Sequence, residues 1–425
     1  MDLPYVDHSR ACLSVRGWSL LLGGLCGMAI ATLWPVEKQA SAAEWSAAPS
    51  LSVKGAYNSN LLLNSGNNEV FGYWITPAVR FKGATESLDV EGETRGDFVH
   101  YFGDQDREFT NMYFPLRASY RSERHTIGFE GGFTRDNTLR GELQSTGLVL
   151  GFTQRNMWTA APTWKIGITE RLSWQSRYQF LDASYQDGQK FGLADYQVHG
   201  VVAGPTYNIS ELDQIHVTGE FTRVRIPLAG LESTYYGAQG GWTHDFGHQV
   251  TGSISGGGRL VNSTQDLPAI PGILGVLLGR TADSAVTSHE IIWVYHASLR
   301  KQFERSMIQI EGSREINPSG FGRLLQTDRV GGSFSHNLTE TLTVSLNGAL
   351  YFVSGITTTR NSVPLSQTRF FSVGPTISWK FAQWWAVDVA YTYGERAVDE
   401  LDQRNSANST FIMLTYTGDK WSVSR

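Results

Sequence analysis

The sequence predicts an all-β fold, a transmembrane antiparallel up-and-down β-barrel of about 18 strands, within a range of roughly 16–20. Three observations support this class. Apolar and polar residues alternate along most of the chain, long and short connections follow one another in turn, and an apolar leader precedes the first strand.

The alternation has the period of two that is typical of β-strands. In one segment, Val344 and Leu346 fall on one face of the chain, and Thr343 and Ser345 fall on the other. Because successive side chains of a strand point to opposite faces, each such segment has one apolar and one polar face. The same division recurs in the segments 215–222, 290–300 and 385–393.

Applied to the whole chain, this pattern predicts strands at 50–57, 69–82, 86–102, 109–121, 124–135, 155–168, 171–185, 194–208, 213–226, 231–245, 248–263, 286–303, 305–314, 321–336, 340–353, 366–381, 384–396 and 408–417. Long connections fall near 58–68, 136–154, 186–193, 264–285, 354–365 and 397–407, and short ones at 83–85, 122–123, 169–170, 246–247, 303–304, 337–339 and 382–383. Bacterial outer-membrane barrels have short periplasmic turns and longer outer loops. The pattern therefore predicts that both chain ends lie in the periplasm.

Residues 1–42 differ in composition from the rest of the chain. Arg10 and Arg16 precede the apolar run 18–34, and small residues follow at 40–42. This order is typical of a secretory signal peptide, so we expect 43–425 to form a single barrel domain in the bacterial outer membrane. A retained amino-terminal anchor and a lipoprotein signal are the alternatives. The two cysteines of the chain, Cys12 and Cys26, both lie in this leader, so the predicted mature chain has neither a disulfide nor a thiolate.

Composition and motifs exclude several functions. The net charge of −5 leaves no basic excess for a phosphate backbone, so we expect no nucleic-acid partner. The sequence contains no G-x-S-x-G, H-E-x-x-H, Walker or EF-hand motif. We therefore expect no enzymatic activity, no catalytic residue, no cofactor and no metal. The run 256–258, three glycines, is interpreted as small residues on a crowded strand.

Charged residues of both signs occur on the polar faces of the predicted strands. The candidate lumen-lining residues are Glu91, Arg95, Arg117, Arg121, Lys165, Arg177, Glu220, Arg300, Arg329 and Asp388. A barrel of about 18 strands is wide enough for a water-filled channel, and charged linings set the selectivity of pores. The mixed signs fit a weakly selective pore or a lumen closed by internal salt bridges. The alternative is that these residues only hydrate and brace the wall.

Two features of the sequence are not expected of a regular barrel: an apolar loop and prolines inside predicted strands. The loop 264–285 contains the apolar run 267–278, which we expect to fold into or over the barrel mouth. Five prolines, at positions 77, 115, 162, 205 and 375, fall inside predicted strands. Proline cannot donate a hydrogen bond to the sheet, so bulges or local breaks are expected there.

The two ends of the predicted mature chain resemble outer-membrane proteins associated with exopolysaccharide and PEP-CTERM loci. The resemblance rests on Glu44–Val53, Tyr57–Leu61 and Tyr416–Arg425. Asn58 and Asn60 replace the acidic residue and asparagine usual in that group, and the terminal Phe common in outer-membrane barrels is absent. The resemblance implies a role near polysaccharide export or the cell envelope, without a defined reaction.

The main hypothesis is a non-enzymatic outer-membrane barrel that serves as a pore or accessory for exopolysaccharide export or envelope assembly. Tyr113 and Tyr351 could supply aromatic surfaces along which a sugar chain slides. A general porin for small solutes is the first alternative; a lipid hydrolase and a structural or adhesive envelope protein are the others. The expected partners are outer-membrane lipid and either polysaccharide or small solutes. The oligomeric state stays open.

Overall fold

The computed structural model describes residues 43–66, 69–103, 106–138, 153–267, 284–356, 367–399 and 402–424. The leader 1–42 and most of the apolar loop run 267–278 lie outside the described residues. The strands are β1 Glu44–Asn58, β2 Val70–Ala84, β3 Leu88–Gly103, β4 Arg107–Arg121, β5 His125–Asn137, β6 Gln154–Gly167, β7 Leu172–Tyr185, β8 Tyr196–Asn208, β9 Asp213–Ile226, β10 Leu231–Asp245, β11 Val250–Leu267, β12 Ser284–Gln302, β13 Ser306–Ser319, β14 Arg323–Asn337, β15 Leu342–Gly355, β16 Thr368–Trp379, β17 Trp385–Val398, β18 Gln403–Thr417 and β19 Trp421–Ser424. Two complete 3-10 turns, Gly188–Phe191 and Pro227–Ala229, lie within these residues.

The strands form one closed antiparallel wall. Each strand pairs with the next in sequence, and β1 pairs with β18, with Ser52 opposite Thr415. The short β19 continues the line of β18 and pairs with Glu44–Ala47 of β1. The predicted barrel is therefore confirmed: its wall has 18 strand positions, the last of which is interrupted at 418–420.

No helix among the described residues is long and apolar enough to cross a membrane.

The two ends of the barrel differ in their connections. We call the end that carries Glu44 and Ser424 the terminal end. Turns of three to five residues join the strands there; the first in sequence is 85–87 and the last is 380–384. The opposite end, here the loop end, carries the longer connections, such as 186–195 and 356–367. The prediction of a long connection at 397–407 is wrong. β17 continues to Val398 and β18 begins at Gln403, because the polar run that follows Gln403 pairs with β17.

The five prolines interrupt the sheet without changing its register. At Pro77, for example, pairing of β2 with β3 stops after Ile75–Phe98 and resumes at Ala78–Arg95, and the strands keep the same alignment. Equivalent gaps occur at prolines 115, 162, 205 and 375. These positions are therefore local breaks and not bulges, because a bulge would add a residue to one strand.

The wall has an apolar outer face and a mixed inner face. Outer side chains such as Trp293 and Val217 are 69% and 56% exposed. Exposed apolar surface of this extent is unfavourable in water and favourable in lipid. The run of glycines fits a crowded part of this wall, since a Cβ at Gly257 would lie 2.0 Å from the Ala238 carbonyl oxygen.

The polarity of the two faces reverses toward the loop end on β8 to β10. On β9, Val217 points outward, but Arg223 and Arg225 take the outward positions farther along the strand. The inward positions there are Val224 and Ile226, both 0% exposed. The reversal indicates that the wall leaves the lipid at this height and continues as a water-exposed shell around an apolar interior.

A hairpin fills that interior. The β13–β14 tip reaches the β7–β8 connection, where Ala194 N donates a hydrogen bond to Gly320 O at 2.6 Å. Gly320 is needed for this approach, since a Cβ there would lie 2.6 Å from the Tyr185 hydroxyl oxygen. We call the resulting cluster the apolar plug; its buried members are Ala183, Tyr185, Leu193, Ala194, Tyr196, Val198, Val224, Ile226, Leu231, Tyr235, Val261, Ile292, Ile316, Leu324 and Ile356.

The inward hairpin separates β13 from its neighbour in the wall. β12 pairs with β13 only from Tyr295–Arg314 to Gln302–Met307. At the point of separation, Arg314 donates hydrogen bonds of 2.5 and 2.9 Å to the two carboxylate oxygens of Asp328. The Tyr295 hydroxyl donates to the same carboxylate at 3.3 Å.

Candidate functional site: the barrel lumen

All ten sequence-predicted lumen residues occupy inward positions in the strand register. Seven of them have described side-chain partners: Arg95, Arg117, Arg121, Arg177, Glu220, Arg329 and Asp388. Glu91, Lys165 and Arg300 form no ion pair with other described residues. That these residues line an open channel stays a prediction.

Five charged side chains form an inner band on the terminal half of β2 to β7. Arg80 pairs with Glu93 at 3.1 Å, and Glu130 pairs with both Arg117 at 2.8 Å and Arg177 at 3.4 Å. Arg117 is 70% exposed and Arg80 is 68% exposed, although both lie inside the closed wall. We call this group the charge band. Its exposure means that water reaches the inner wall at this height.

A second polar group lies closer to the loop end on β2 to β6, and it is buried. Arg155 and Asp136 form two parallel hydrogen bonds of 3.0 and 2.9 Å, and both side chains are less than 10% exposed. Arg95 makes the same double contact with Asp97, at 2.8 and 2.9 Å. Such bidentate pairs compensate buried charges more completely than single contacts do.

Neutral side chains complete this group. Thr76 donates a hydrogen bond of 3.1 Å to Asp97, and Asn111 lies opposite Asp97 on the next strand. Asp97 and Asn111 are only 2% and 3% exposed. We call Thr76, Asp97, Asn111, Asp136 and Arg155 the polar rung. The Asn111 carboxamide oxygen is buried and accepts no hydrogen bond from any described residue.

Thr76, Asp97 and Asn111 of the polar rung line a cavity of about 750 Å³ between β1–β4 and β18. Trp74 and Tyr101 line it and meet edge to face, with ring centroids 5.2 Å apart. The Lys54 ammonium lies 3.7 Å from the centroid of the Trp74 ring. The cavity thus combines aromatic, hydroxyl, amide and paired ionic groups.

A smaller cavity of about 410 Å³ lies on the inner wall between β13 and β18. Arg329 pairs there with Glu311, and its Nε donates a hydrogen bond of 3.1 Å to the Tyr351 hydroxyl. The predicted aromatic residues Tyr113 and Tyr351 therefore both lie beside inner arginines, since Arg95 is 5.2 Å from the Tyr113 ring.

A polar cluster at the rim of the terminal end lies outside the lipid-facing apolar band. Asp213 accepts hydrogen bonds from Trp242 Nε1 at 3.0 Å and from the Ser210 hydroxyl at 2.9 Å. The His244 ring nitrogen lies 2.7 Å from the same carboxylate. These contacts, chiefly that with His244, hold the pKa of Asp213 below its ordinary value.

Within the described ranges, no group of three or more His, Cys, Asp or Glu side chains is placed to hold a metal ion.

Sequence reasoning missed the polar rung and Trp74. The candidates were chosen for charge on the polar faces, whereas Asn111 is neutral, Asp136 directly follows the predicted strand 124–135, and Arg155 is the first residue of the predicted strand 155–168. One signal was present: Asn111 shares a face with Tyr113 and Arg117 in the same strand.

No protein-family model matches the chain, and no curated protein matches it. The resemblance to exopolysaccharide-associated proteins therefore gains no support. Solved structures with a similar barrel include OccAB1 of Acinetobacter baumannii, 8% identical, covering 88% of this chain and 96% of that chain with a TM-score of 0.41. OpdK of Pseudomonas aeruginosa, solved with vanillate, is 9% identical and covers 88% of this chain and 99% of that chain with a TM-score of 0.41. Similarity at this level gives no information on substrate.

Proposed function

We propose that this protein is a non-enzymatic channel of the bacterial outer membrane that passes small polar solutes. The solutes would cross the charge band on the terminal half and leave past the polar side of the loop end. The apolar plug would close the remainder of the loop end. This assigns the protein to the porin alternative of the sequence analysis.

The observation that carries the proposal is the exposure of charged side chains inside the closed wall. A lumen filled by protein would bury Arg117, which is instead 70% exposed. Charged groups on an inner wall attract hydrated solutes and set ion selectivity. The outer face, with Trp293 and Ile291 more than two-thirds exposed, needs lipid around it.

The location follows from the same argument. Closed antiparallel barrels with an apolar outer face are the β-structures that span membranes. We propose that residues 1–42 direct export and are removed, and that the terminal end faces the periplasm. Outer-membrane fractionation and amino-terminal sequencing of the mature protein test the location and the removal of 1–42.

Planar-bilayer recording on the refolded protein tests channel function. We expect stable single-channel currents in potassium chloride, from protein whose folding is first verified by heat-modifiable gel migration. Folded protein that conducts no current and does not increase liposome swelling with small solutes would contradict the proposal.

One substitution links the current to the charge band. Arg117→Glu reverses a charge in the inner wall, so we expect the reversal potential in a salt gradient to move toward cation selectivity. Arg305→Glu makes the same charge change in an exposed turn of the terminal end and serves as the matched control. Equal shifts of the reversal potential in the two variants would show that the charge band does not set the ion selectivity of the current.

The exopolysaccharide role remains a second candidate, supported by the resemblance of the two chain ends. Long sugar chains distinguish it from a small-solute channel. Passage of long dextrans through channel-containing liposomes would favour export of polysaccharide, and exclusion of dextrans with passage of monosaccharides would favour the porin.

A further inference from the structure

We propose that the cavity of about 750 Å³ between β1–β4 and β18 binds a neutral polyhydroxylated solute, of the size of a mono- or disaccharide. The proposal rests on the channel function above and names the solute class of that channel. It depends on which polar groups of the cavity already have partners and which do not.

The carboxylates of the cavity are neutralised by their own arginines. Glu93 pairs with Arg80 at 3.1 Å, and Asp97 accepts two hydrogen bonds from Arg95, at 2.8 and 2.9 Å, and one from Thr76 at 3.1 Å. A ligand that pairs with Asp97 would have to break its contact with Arg95, and disrupting this pair is costly because the Asp97 side chain is only 3% exposed. The paired carboxylates therefore disfavour a ligand that binds by positive charge alone.

One acceptor on a residue that lines the cavity has no partner among the described residues. The Asn111 carboxamide oxygen is buried in a residue only 3% exposed, and it accepts no hydrogen bond from a described residue. A buried acceptor without a donor is unfavourable by the cost of its lost hydration. A ligand hydroxyl or N–H that donates to this oxygen removes that cost, so the site favours a neutral donor.

The surrounding groups match a sugar better than other neutral molecules. Hydroxyl groups of Ser50, Ser52, Thr76 and Thr415 line the cavity. Thr76 already donates to Asp97, and Ser52 and Thr415 share one hydrogen bond, but each of these oxygens keeps a lone pair that can accept from a ligand. Trp74 and Tyr101 add aromatic surface for the C–H faces of a sugar ring. The volume lies within the range of about 300–1,000 Å³ that is typical of small-molecule sites.

Ion-current block tests the proposal. We expect maltose, added to the bilayer chamber, to interrupt the potassium chloride current in a saturable manner, while glutamate and lysine at equal concentration do not. Block by the amino acids without block by maltose would overturn the sugar assignment. A current that no solute blocks would overturn the binding site and leave the channel function standing, whereas the absence of current would count against the channel itself.

A matched pair of variants locates the site. Asn111→Leu keeps the side-chain size and removes the acceptor, so we expect maltose affinity to fall about three- to tenfold, the value of one neutral hydrogen bond. Asn347→Leu makes the same change in the smaller cavity between β13 and β18 and should alter affinity less than about twofold. Equal effects of the two variants would contradict the location.

Calorimetry keeps the test independent of the current. Titration of maltose into the folded wild-type barrel should give saturable heat, and dextran should compete if a longer sugar enters the same site. Folded wild-type protein that gives no heat and shows no block would refute the proposal, whether or not Asn111→Leu folds.

Discussion

The two sides of the loop end are equally buried but are built from opposite chemistry. On the β7–β14 side, Val224 and Leu324 are 0% exposed and belong to the apolar plug. On the β2–β6 side, Asp97 and Asn111 are 2% and 3% exposed and belong to the polar rung. The two groups meet where Arg155 lies opposite Tyr185.

The difference shows what each side can do. An apolar interior needs only volume to be filled, and it stabilises the shell above the lipid by burial of apolar surface. A polar interior must satisfy every donor and acceptor, which demands specific geometry. The polar rung satisfies its charges in bidentate pairs and leaves one neutral acceptor, so we regard this side as the functional one.

The largest expected effect comes from breaking a buried pair of the polar rung. Arg155→Met leaves the Asp136 carboxylate buried without its partner, which should lower the free energy of unfolding by about 3–5 kcal/mol. Urea unfolding in detergent micelles, followed by gel migration, measures this change.

Two further variants sharpen that measurement. Arg117→Met removes a comparable ion pair from the exposed charge band and should cost at most about 1 kcal/mol. Adding Asp136→Asn to Arg155→Met should recover part of the loss, because the remaining group is neutral. Similar losses of unfolding free energy in Arg155→Met and Arg117→Met would contradict the expected difference between the buried polar rung and the exposed charge band.

The next effect concerns the apolar plug. Leu324→Ala leaves a cavity in a fully buried cluster, and we expect it to cost about 3 kcal/mol in the free energy of unfolding. Loosening the hairpin should also raise the single-channel conductance. Leu346→Ala, on the lipid-facing surface, is the control with a smaller expected cost. Equal losses of unfolding free energy in the two variants would show that the apolar plug does not stabilise the barrel. A conductance that does not change in Leu324→Ala would show that the plug does not obstruct the lumen.

The smallest expected effect on stability concerns Asp213, at the rim of the terminal end and remote from both the polar rung and the apolar plug. The folded pKa of Asp213 is lowered, so its contribution to stability is present above its unfolded pKa, about 3.9, and is lost as the pH falls through the folded pKa. Wild type should therefore lose slightly more stability than Asp213→Asn between about pH 5 and pH 2. Parallel urea midpoints of the two proteins over this interval would contradict the contribution of Asp213.

Much of the wall could be predicted from the sequence, because lipid outside and water inside impose a strict period of two. The same period identified the inward positions of Arg117 and Arg329. The apolar plug was not predicted, since the position of the β13–β14 tip depends on contacts with β7–β8 that are remote in sequence. The sequence does contain one sign of the plug. At Arg223 and Arg225, charged residues occupy the face of β9 that is apolar nearer the terminal end. Asn111 escaped notice because the lack of a partner is a property of three-dimensional packing.

The seam between the first and last long strands has a consequence for biogenesis. The Ser52 and Thr415 hydroxyl oxygens lie 2.9 Å apart although 363 positions separate them in sequence. Nothing local brings these strands together, and pairings so distant in sequence form slowly. Until 403–417 has been synthesised and delivered, β1 and β17 each present an uncovered edge that invites aggregation. Closure of this seam therefore removes the last two open edges of the sheet, and until then these edges depend on shielding from other chains.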